Sequence, residues 1–409
     1  MDLPPVTAIL ATIGAHGPSI EAADPPGQAG PWRVWLRGQP EGWERLSPAH
    51  GFGAEGSLPP AQVLAALLDR VGIDRALAQL EGHWHALLVR GARLTAVSSR
   101  LGTGRWWVRV GEGSAQVADH PSALVARTDA DPARLAAMLT GRALPPGATC
   151  WPDVARVEPG TRVEVGAAGP GPSHRWWDPG APPDGRAGAR GVWDRAVEQA
   201  LVLGVARATR AGPWALAPGA PAGDAFVRRV APTQPMAARA TPGVEAVLAA
   251  APRLAEPRLG GAARRVAGAI LAAPAGPRLV VATGAALLLG GADPRRGRPA
   301  AWSHRLQIDL GAELLGPLCD LRPVAPALLH PAVAEVAARV PWRHLRGLRG
   351  TLAGRLGLVE SGRDPWKGWL AGPGAAAVAR AREALSAIGP VADHPADQAR
   401  AVVMAAWLV

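Results

Sequence analysis

The sequence predicts two successive folds, an α+β region followed by an α/β region. Three observations lead there. The first half is a series of short β-branched and aromatic runs parted by Gly-bearing turns. The second half alternates apolar runs of strand length with longer helical segments. Between them lies WWDPGAPPDGRAGARG (176–191), rich in Pro and Gly as linkers are. Residues 1–175 are therefore expected as one domain, 176–191 as a linker and 192–409 as a second domain. A chain of 409 residues with 48% hydrophobic content can fill two cores.

In the first half, WRVWLRG (32–38), HALLVRG (85–91), RLTAVSS (93–99), RWWVRVG (105–111) and SAQVADH (114–120) have strand length and composition. VARVEPGTRVEV (154–165) reads as a hairpin around Pro159-Gly160. Helix signals lie between these runs. PPAQVLAALLDRVG opens with prolines and closes with Gly, and DPARLAAMLTG opens with an Asp N-cap and Pro in the first turn. The expectation is an antiparallel β sandwich with a few helices.

In the second half, VWDRAVEQALVLGVARATR (192–210) is a long helix, followed by a strand at PWALA (213–217) and another at FVRRVA (226–231). Helices are expected over 243–251 and 261–272, and an apolar strand at RLVVAT (278–283). Continuous apolar strands alternating with helices predict a parallel, helix-covered sheet. From about residue 310 the pattern is mostly helical, as in VARAREALSAIG (378–389) and ADQARAVVMAAWLV (396–409).

Composition bounds the partners. Asparagine and tyrosine are absent and Lys367 is the one lysine, while Ala, Gly, Pro and Arg abound, as a GC-rich coding sequence would give. The formal charge is +11, but the arginines are spread along the chain with no dense run, which argues against a nucleic-acid patch. Cys150 and Cys319 lie far apart with no CxxC spacing, so neither a disulfide framework nor a zinc site is expected. MDLPPVTAILATIGA lacks the basic start of a secretory signal, and AVVMAAWLV is shorter than the roughly 20 residues of a membrane helix. A cytoplasmic protein without membrane contact is the expectation.

The order of motifs resembles the asparagine synthetase (glutamine-hydrolysing) family, which is related to β-lactam synthetase and lasso-peptide cyclase-type amide ligases. In LEGHWHALLVRGARLTAVSSRLGTGRWWV (80–108), Leu80, Gly82 and Trp84 resemble the family's L-x-G-x-F-A strand. Arg100, Leu101, Gly102 and Trp107 resemble its D-R-L-G-x-K-P-L-Y-Y segment. ALPPGATCWPDVARVEPGTRVEV, HRWWDP, EPRLGGAARRVAGAIL, RLVVATGAALLLGGADPRR, LLHPAVAEVAARVP and PWKGWLAGP follow the family's later segments in the same order. The resemblance implies an N-terminal Ntn-type, class II glutamine amidotransferase-like sandwich. After it would come an adenine-nucleotide α-hydrolase-like (PP-loop) parallel sheet with a helical C-terminal part.

The same resemblance defines what the chemistry would need. Glutamine hydrolysis in the family uses a cysteine directly after the initiator Met, with its α-amine as base. Position 2 here is Asp2, and the family's oxyanion-holding Asn-Gly segment has no counterpart in a chain without asparagine. Cys150 and Cys319 read as buried packing residues. The family's pyrophosphate loop S-G-G-x-D-S-S falls on Ala217, Pro218, Gly219, Ala220, Pro221, Ala222 and Gly223. Both hydroxyls and the metal carboxylate are gone from it, and two prolines lack the N–H a phosphate needs. Asp224 falls three positions late. The second acidic loop falls on Thr283, Gly284 and Ala285 and the leucines after them, with no carboxylate for Mg²⁺, and Asp293 reads as a turn residue. The family's catalytic lysine would fall nearer Val359, leaving Lys367 a weak catalytic candidate at a surface position. His83 and His85 lie on the face opposite Trp84; as an H-x-H pair without a third ligand they read as structural rather than metal-binding.

Three functions compete. The first is a non-catalytic scaffold or regulatory partner, needing no cofactor and beside an active amide ligase or another biosynthetic protein. The second is an ATP- and Mg²⁺-dependent amide-bond-forming ligase without glutaminase activity. The third, least favoured, is an arginine-rich nucleic-acid binder.

Overall fold

A computed structural model describes residues 9–102, 104–142, 144–145, 147–178, 190–210, 213–217, 221–232, 244–257, 261–273, 278–282, 315–321, 324–340 and 365–409. The chain divides into two compact units, Met1–Leu135 with Leu144–Asp178, and Ala136–Ala143 with Pro179–Val409.

The first unit holds two antiparallel sheets. One has the order β2-β1-β8-β7-β9, from β1 (Leu10–Gly14), β2 (Gly17–Glu21), β7 (Trp107–Gly111), β8 (Ser114–Ala118) and β9 (Val154–Arg156). The other has the order β11-β10-β6-β5-β4-β3, from β3 (Gly27–Ala29), β4 (Trp32–Glu41), β5 (Glu81–Arg90), β6 (Arg93–Ser98), β10 (Thr161–Gly166) and β11 (Gly169–Arg175). Ile9, Ala11 and Ile13 join Val108, Val117, Leu87, Val89, Leu94 and Ala96 in a core drawn from both sheets. The opposite face of the six-stranded sheet, with Val34, Trp84, Ala86 and Leu88, packs on Val63, Leu64, Leu67 and Leu77. Those last residues come from α2 (Pro60–Val71) and α3 (Ile73–Gln79), which follow a single turn, α1 (Leu46–Ala49). Two-sided burial explains the continuous apolar run Ala86–Val89 within β5. Each Leu or Val so buried contributes roughly 1.5–3 kcal/mol.

The expected helices hold at their ends for the expected reasons. α2 begins on Pro60 and stops at Gly72, whose φ is 79°. α4 (Pro132–Leu139) is capped by Asp131, whose Oδ1 accepts the Arg134 N–H at 2.8 Å.

Two strand expectations are corrected. VARVEPGTRVEV is not a hairpin, because β9 pairs with β7 in one sheet and β10 with β6 and β11 in the other. The chain changes sheets at Pro159-Gly160, where Gly160 has φ 63°. The hairpin partner of β10 is β11, GPGPSHR, whose two prolines are compatible with a strand because it lies at the sheet edge. The β1–β2 hairpin, at one edge of the smaller sheet, has no counterpart among the expected strands.

The second unit contains a parallel sheet in the order β12-β13-β14, from β12 (Trp214–Ala217), β13 (Arg278–Val281) and β14 (Val324–Pro326). All four residues of β12 are buried, as a helix-covered parallel strand requires. Its helices are α5 (Arg190–Arg210), α6 (Pro221–Val230), α7 (Val244–Ala250), α8 (Gly261–Ala272), α9 (Pro331–Arg339), α10 (Pro365–Ala371), α11 (Ala375–Ala384) and α12 (Pro395–Leu408). The strand expected at FVRRVA is instead the body of α6. Phe226 and Val227 are buried with Asp224 a helical step before them, while Arg228 and Arg229 are exposed, a period of 3.6 that six residues cannot distinguish from a strand. β14 is a strand within the region read as helical.

Candidate functional site

The core between the two sheets of the first unit is apolar along most of its length and becomes polar at one end. Register shows the change. Trp35, Leu87 and Ala96 lie side by side on β4, β5 and β6, and the next inward row is Arg37, His85 and Ser98. Alternation places His83 in that direction too, opposite the helix-facing Trp84, as the sequence predicts. The smaller sheet brings Arg105 and Trp106 just before β7, and Asp119 just after β8.

Asp119 is tied to the start of β1. Its Oδ1 accepts the Ile9 N–H at 2.8 Å, and its own N–H donates to the Ile9 carbonyl at 3.3 Å. Arg37 approaches the other oxygen, with Nε 3.9 Å from Oδ2, and also pairs with Asp24. Burial pushes the Asp119 carboxyl up to about 6, against the opposing pull of the Ile9 amide and Arg37.

His85 is in the reverse situation. Both ring nitrogens are sealed from solvent with no hydrogen-bond partner. Its ring meets Trp106 edge-on at 4.9 Å between centroids. Trp106 is fixed in turn, its indole N–H shared between the carbonyls of Ala86 and Val97 at 3.0 and 3.2 Å. Burial, then Arg37 and Arg105, lower the imidazole to about 3. A Cβ on Gly104 would stand 2.0 Å from His85 Nδ1, so glycine is what leaves room for the ring. The cluster therefore combines a neutral imidazole, two guanidinium groups and a carboxyl that titrates close to neutrality. No hydroxyl or thiol meets either imidazole nitrogen.

The residues singled out from the sequence lie elsewhere or outside the described residues. Cys150 is buried on the turn before β9, where its carbonyl accepts the Asp131 N–H at 2.9 Å. Cys319, expected to be buried, is half-buried on the helical segment 315–321 of the second unit. Lys367 is exposed on α10, between buried Trp366 and Leu370. Ala217 is the buried last residue of β12. Pro218, Gly219 and Ala220 lie outside the described residues, as do Thr283, Gly284, Ala285, Asp293 and Val359. Pro221, Ala222 and Gly223 form the first turn of α6, with buried Asp224 next. A Cβ on Gly223 would lie 2.0 Å from the Ala282 carbonyl oxygen, so the helix start is pressed against the end of β13. His85 was named from the sequence, but Arg37, Arg105 and Asp119 were not. The local signal for Arg37 is its inward parity on β4, which exposed Arg33 shares, while Arg105 and Asp119 lie outside the strands and have no such signal.

No family model matches the sequence, and no curated protein matches it. Similar solved structures exist. The allosteric regulatory enzyme of purine biosynthesis is 11% identical over 51% of this chain and 53% of its own, with a TM-score of 0.28. Glutamine phosphoribosylpyrophosphate amidotransferase from B. subtilis, complexed with ADP and GMP, is 12% identical over 51% of this chain and 54% of its own, TM-score 0.27. A glutamine aminotransferase class-II domain protein from Silicibacter pomeroyi is 14% identical over 41% of this chain and 97% of its own, TM-score 0.27. The match spans about half the length of the first two.

Among the described residues no three His, Cys, Asp or Glu side chains are grouped to hold a metal ion. No described helix is long and apolar enough to cross a membrane.

Proposed function

We propose that the chain is a non-catalytic, asparagine-synthetase-like protein, a scaffold or regulatory partner of an active amide ligase in the cytoplasm. The observation that carries this reading is His85. Amide hydrolysis of the glutaminase kind needs a thiol or hydroxyl activated by a base. The imidazole at the polar end of the sandwich is held neutral, and neither of its nitrogens touches such a group. Neither cysteine lies on the strands that form that end.

The second unit supports the same reading. The first turn of α6 begins with Pro221, which has no N–H for a phosphate. Beside Gly223 stands the Ala282 carbonyl oxygen, an acceptor that repels an anion. The described residues therefore do not suit a nucleotide phosphate with its magnesium.

One observation favours a second reading, an ATP-dependent amide-bond-forming ligase of the β-lactam synthetase or lasso cyclase kind. Asp224 is a buried carboxylate in the first turn after β12, at the strand end where open α/β sheets bind ligands. A single carboxylate is short of the octahedral oxygen set of Mg²⁺.

Three measurements on the purified chain separate these readings. The first predicts no glutamate release from glutamine and no calorimetric binding of ATP with Mg²⁺ tighter than about 1 mM. It also predicts recovery of an amide ligase when the chain is captured from its own cells. Glutamate release would overturn it, ATP binding would move the weight to the ligase, and a lone monomer in extract would count against a partner role.

A further inference from the structure

His-Pro occurs at His120-Pro121, His330-Pro331 and His394-Pro395, and these are all the His-Pro dipeptides of the sequence. Each opens a helix or a helical turn. In each, the histidine backbone is extended and the ring Nδ1 accepts the N–H two residues on, from Ser122, Ala332 and Ala396 at 3.3, 3.2 and 3.2 Å. The dipeptide explains the geometry. Proline at the first helical position brings no N–H, so the next amide is the first that needs an acceptor, and it is the one the ring reaches.

A ring nitrogen differs from the usual capping oxygen in one respect: it accepts only while it carries no proton. The geometry points to three proton-labile caps, in which each ring holds its helix start as the neutral tautomer with hydrogen on Nε2, and acid releases that start. In the release the ring takes a proton from water on Nδ1, its bond to the amide breaks, and the amide N–H turns to solvent. Two donors would otherwise face each other, and the new positive charge lies at the positive end of the helix. His120 and His330 stand two and four residues after β8 and β14, so two of the releases occur where the chain passes from a strand into a helical turn.

The charged groups about each ring differ. Asp119, itself facing Arg37, adjoins His120, and Arg105 covers the Trp107 ring that His120 meets at 6.3 Å between centroids. α5 packs Gly204 against His330 and carries Arg207 three positions on, while α9 carries Glu335 and Arg339. Around His394, Asp393 pairs with Arg382 of α11, and Asp397 pairs with Arg400. α11 also carries Arg380 and Glu383, and α10 carries Lys367. The Asp131 cap of α4 supplies the contrast, since a carboxylate goes on accepting across the range in which an imidazole protonates.

Amide exchange on the full chain, corrected for its intrinsic pH dependence, tests the caps between about pH 8 and about pH 5. Protection at Ala332 and Ala396 is expected to fall about fivefold on acidification, as the loss of one cap gives, while protection at Arg134 holds. His394→Ser keeps an acceptor that acid leaves intact, so Ala396 should stay level in it while Ala332 still falls. Level protection at Ala396 in the wild type, or the same fall in His394→Ser, would overturn the inference. Nitrogen NMR of the wild-type rings needs no variant. A bare Nδ1 with hydrogen on Nε2 is the expected neutral state, and the opposite tautomer at His330 and His394 refutes the caps.

Discussion

The guanidinium of Arg37 on β4 faces the carboxylate of Asp119 beyond β8, one from each sheet, with Nε 3.9 Å from Oδ2. That separation makes Arg37 an electrostatic neighbour of Asp119 rather than a hydrogen-bond donor. Its field nonetheless lowers the carboxyl, against the larger effect of burial.

Removing that field should therefore raise the titration of Asp119. In Arg37→Gln the carboxyl midpoint is expected above about 6, read from its ¹³C signal over pH. Because the folded value already exceeds the ordinary 3.8, the contribution of Asp119 to stability declines as pH rises between the two, and the variant extends that decline to higher pH. An unmoved midpoint would show that the two groups do not interact in solution.

Gly104 leaves room for His85. In Gly104→Ala the new methyl would stand 2.0 Å from the ring nitrogen, with a sheet on either side of it. The expected cost is about 1–3 kcal/mol in unfolding of the sandwich. Displacing the ring into solvent should also return its titration toward 6.5, visible in imidazole NMR.

Three helical segments start on the dipeptide His-Pro. The Nδ1 of His120, His330 and His394 accepts the N–H of Ser122, Ala332 and Ala396 at 3.3, 3.2 and 3.2 Å. In a chain without asparagine, a ring nitrogen takes the place of the usual side-chain oxygen at the cap. His394→Ala is expected to cost about 1 kcal/mol and to fray the start of α12, while His394→Ser retains most of the cap. Amide exchange at Ala396 and denaturant midpoints check both.

Gly223 and Lys367 provide a contrast within the second unit. Gly223→Ala forces a methyl to 2.0 Å from a backbone carbonyl oxygen, and about 3 kcal/mol or inability to fold is expected. Lys367→Ala, at an exposed position on α10, should remain within about 0.5 kcal/mol of wild type. Thermal unfolding of both variants distinguishes a packed helix start from an uninvolved lysine.

Much of the framework was legible locally. PPAQVLAALLDRVG and DPARLAAMLTG bound their helices by Pro, Asp and Gly alone, and the strands of the sandwich follow their alternation. GPGPSHR was not legible, because edge position, which makes its prolines harmless, is a property of the sheet. FVRRVA was misread because six residues fit two periods. The expectation of no glutaminase activity rests on residue types, a chain with two cysteines and no asparagine.

What the sequence determined by itself is the set of faces: which residues of each strand point together, and that His83 and His85 lie opposite Trp84. The tertiary structure alone decided that Arg37 and His85 on one sheet would meet Asp119 and Arg105 from the other. Side-chain parity is set by the backbone every two residues, whereas a cluster spanning two sheets depends on how segments some 80 positions apart in sequence are stacked. Burial in that stack, more than any neighbour in sequence, sets the protonation of both groups.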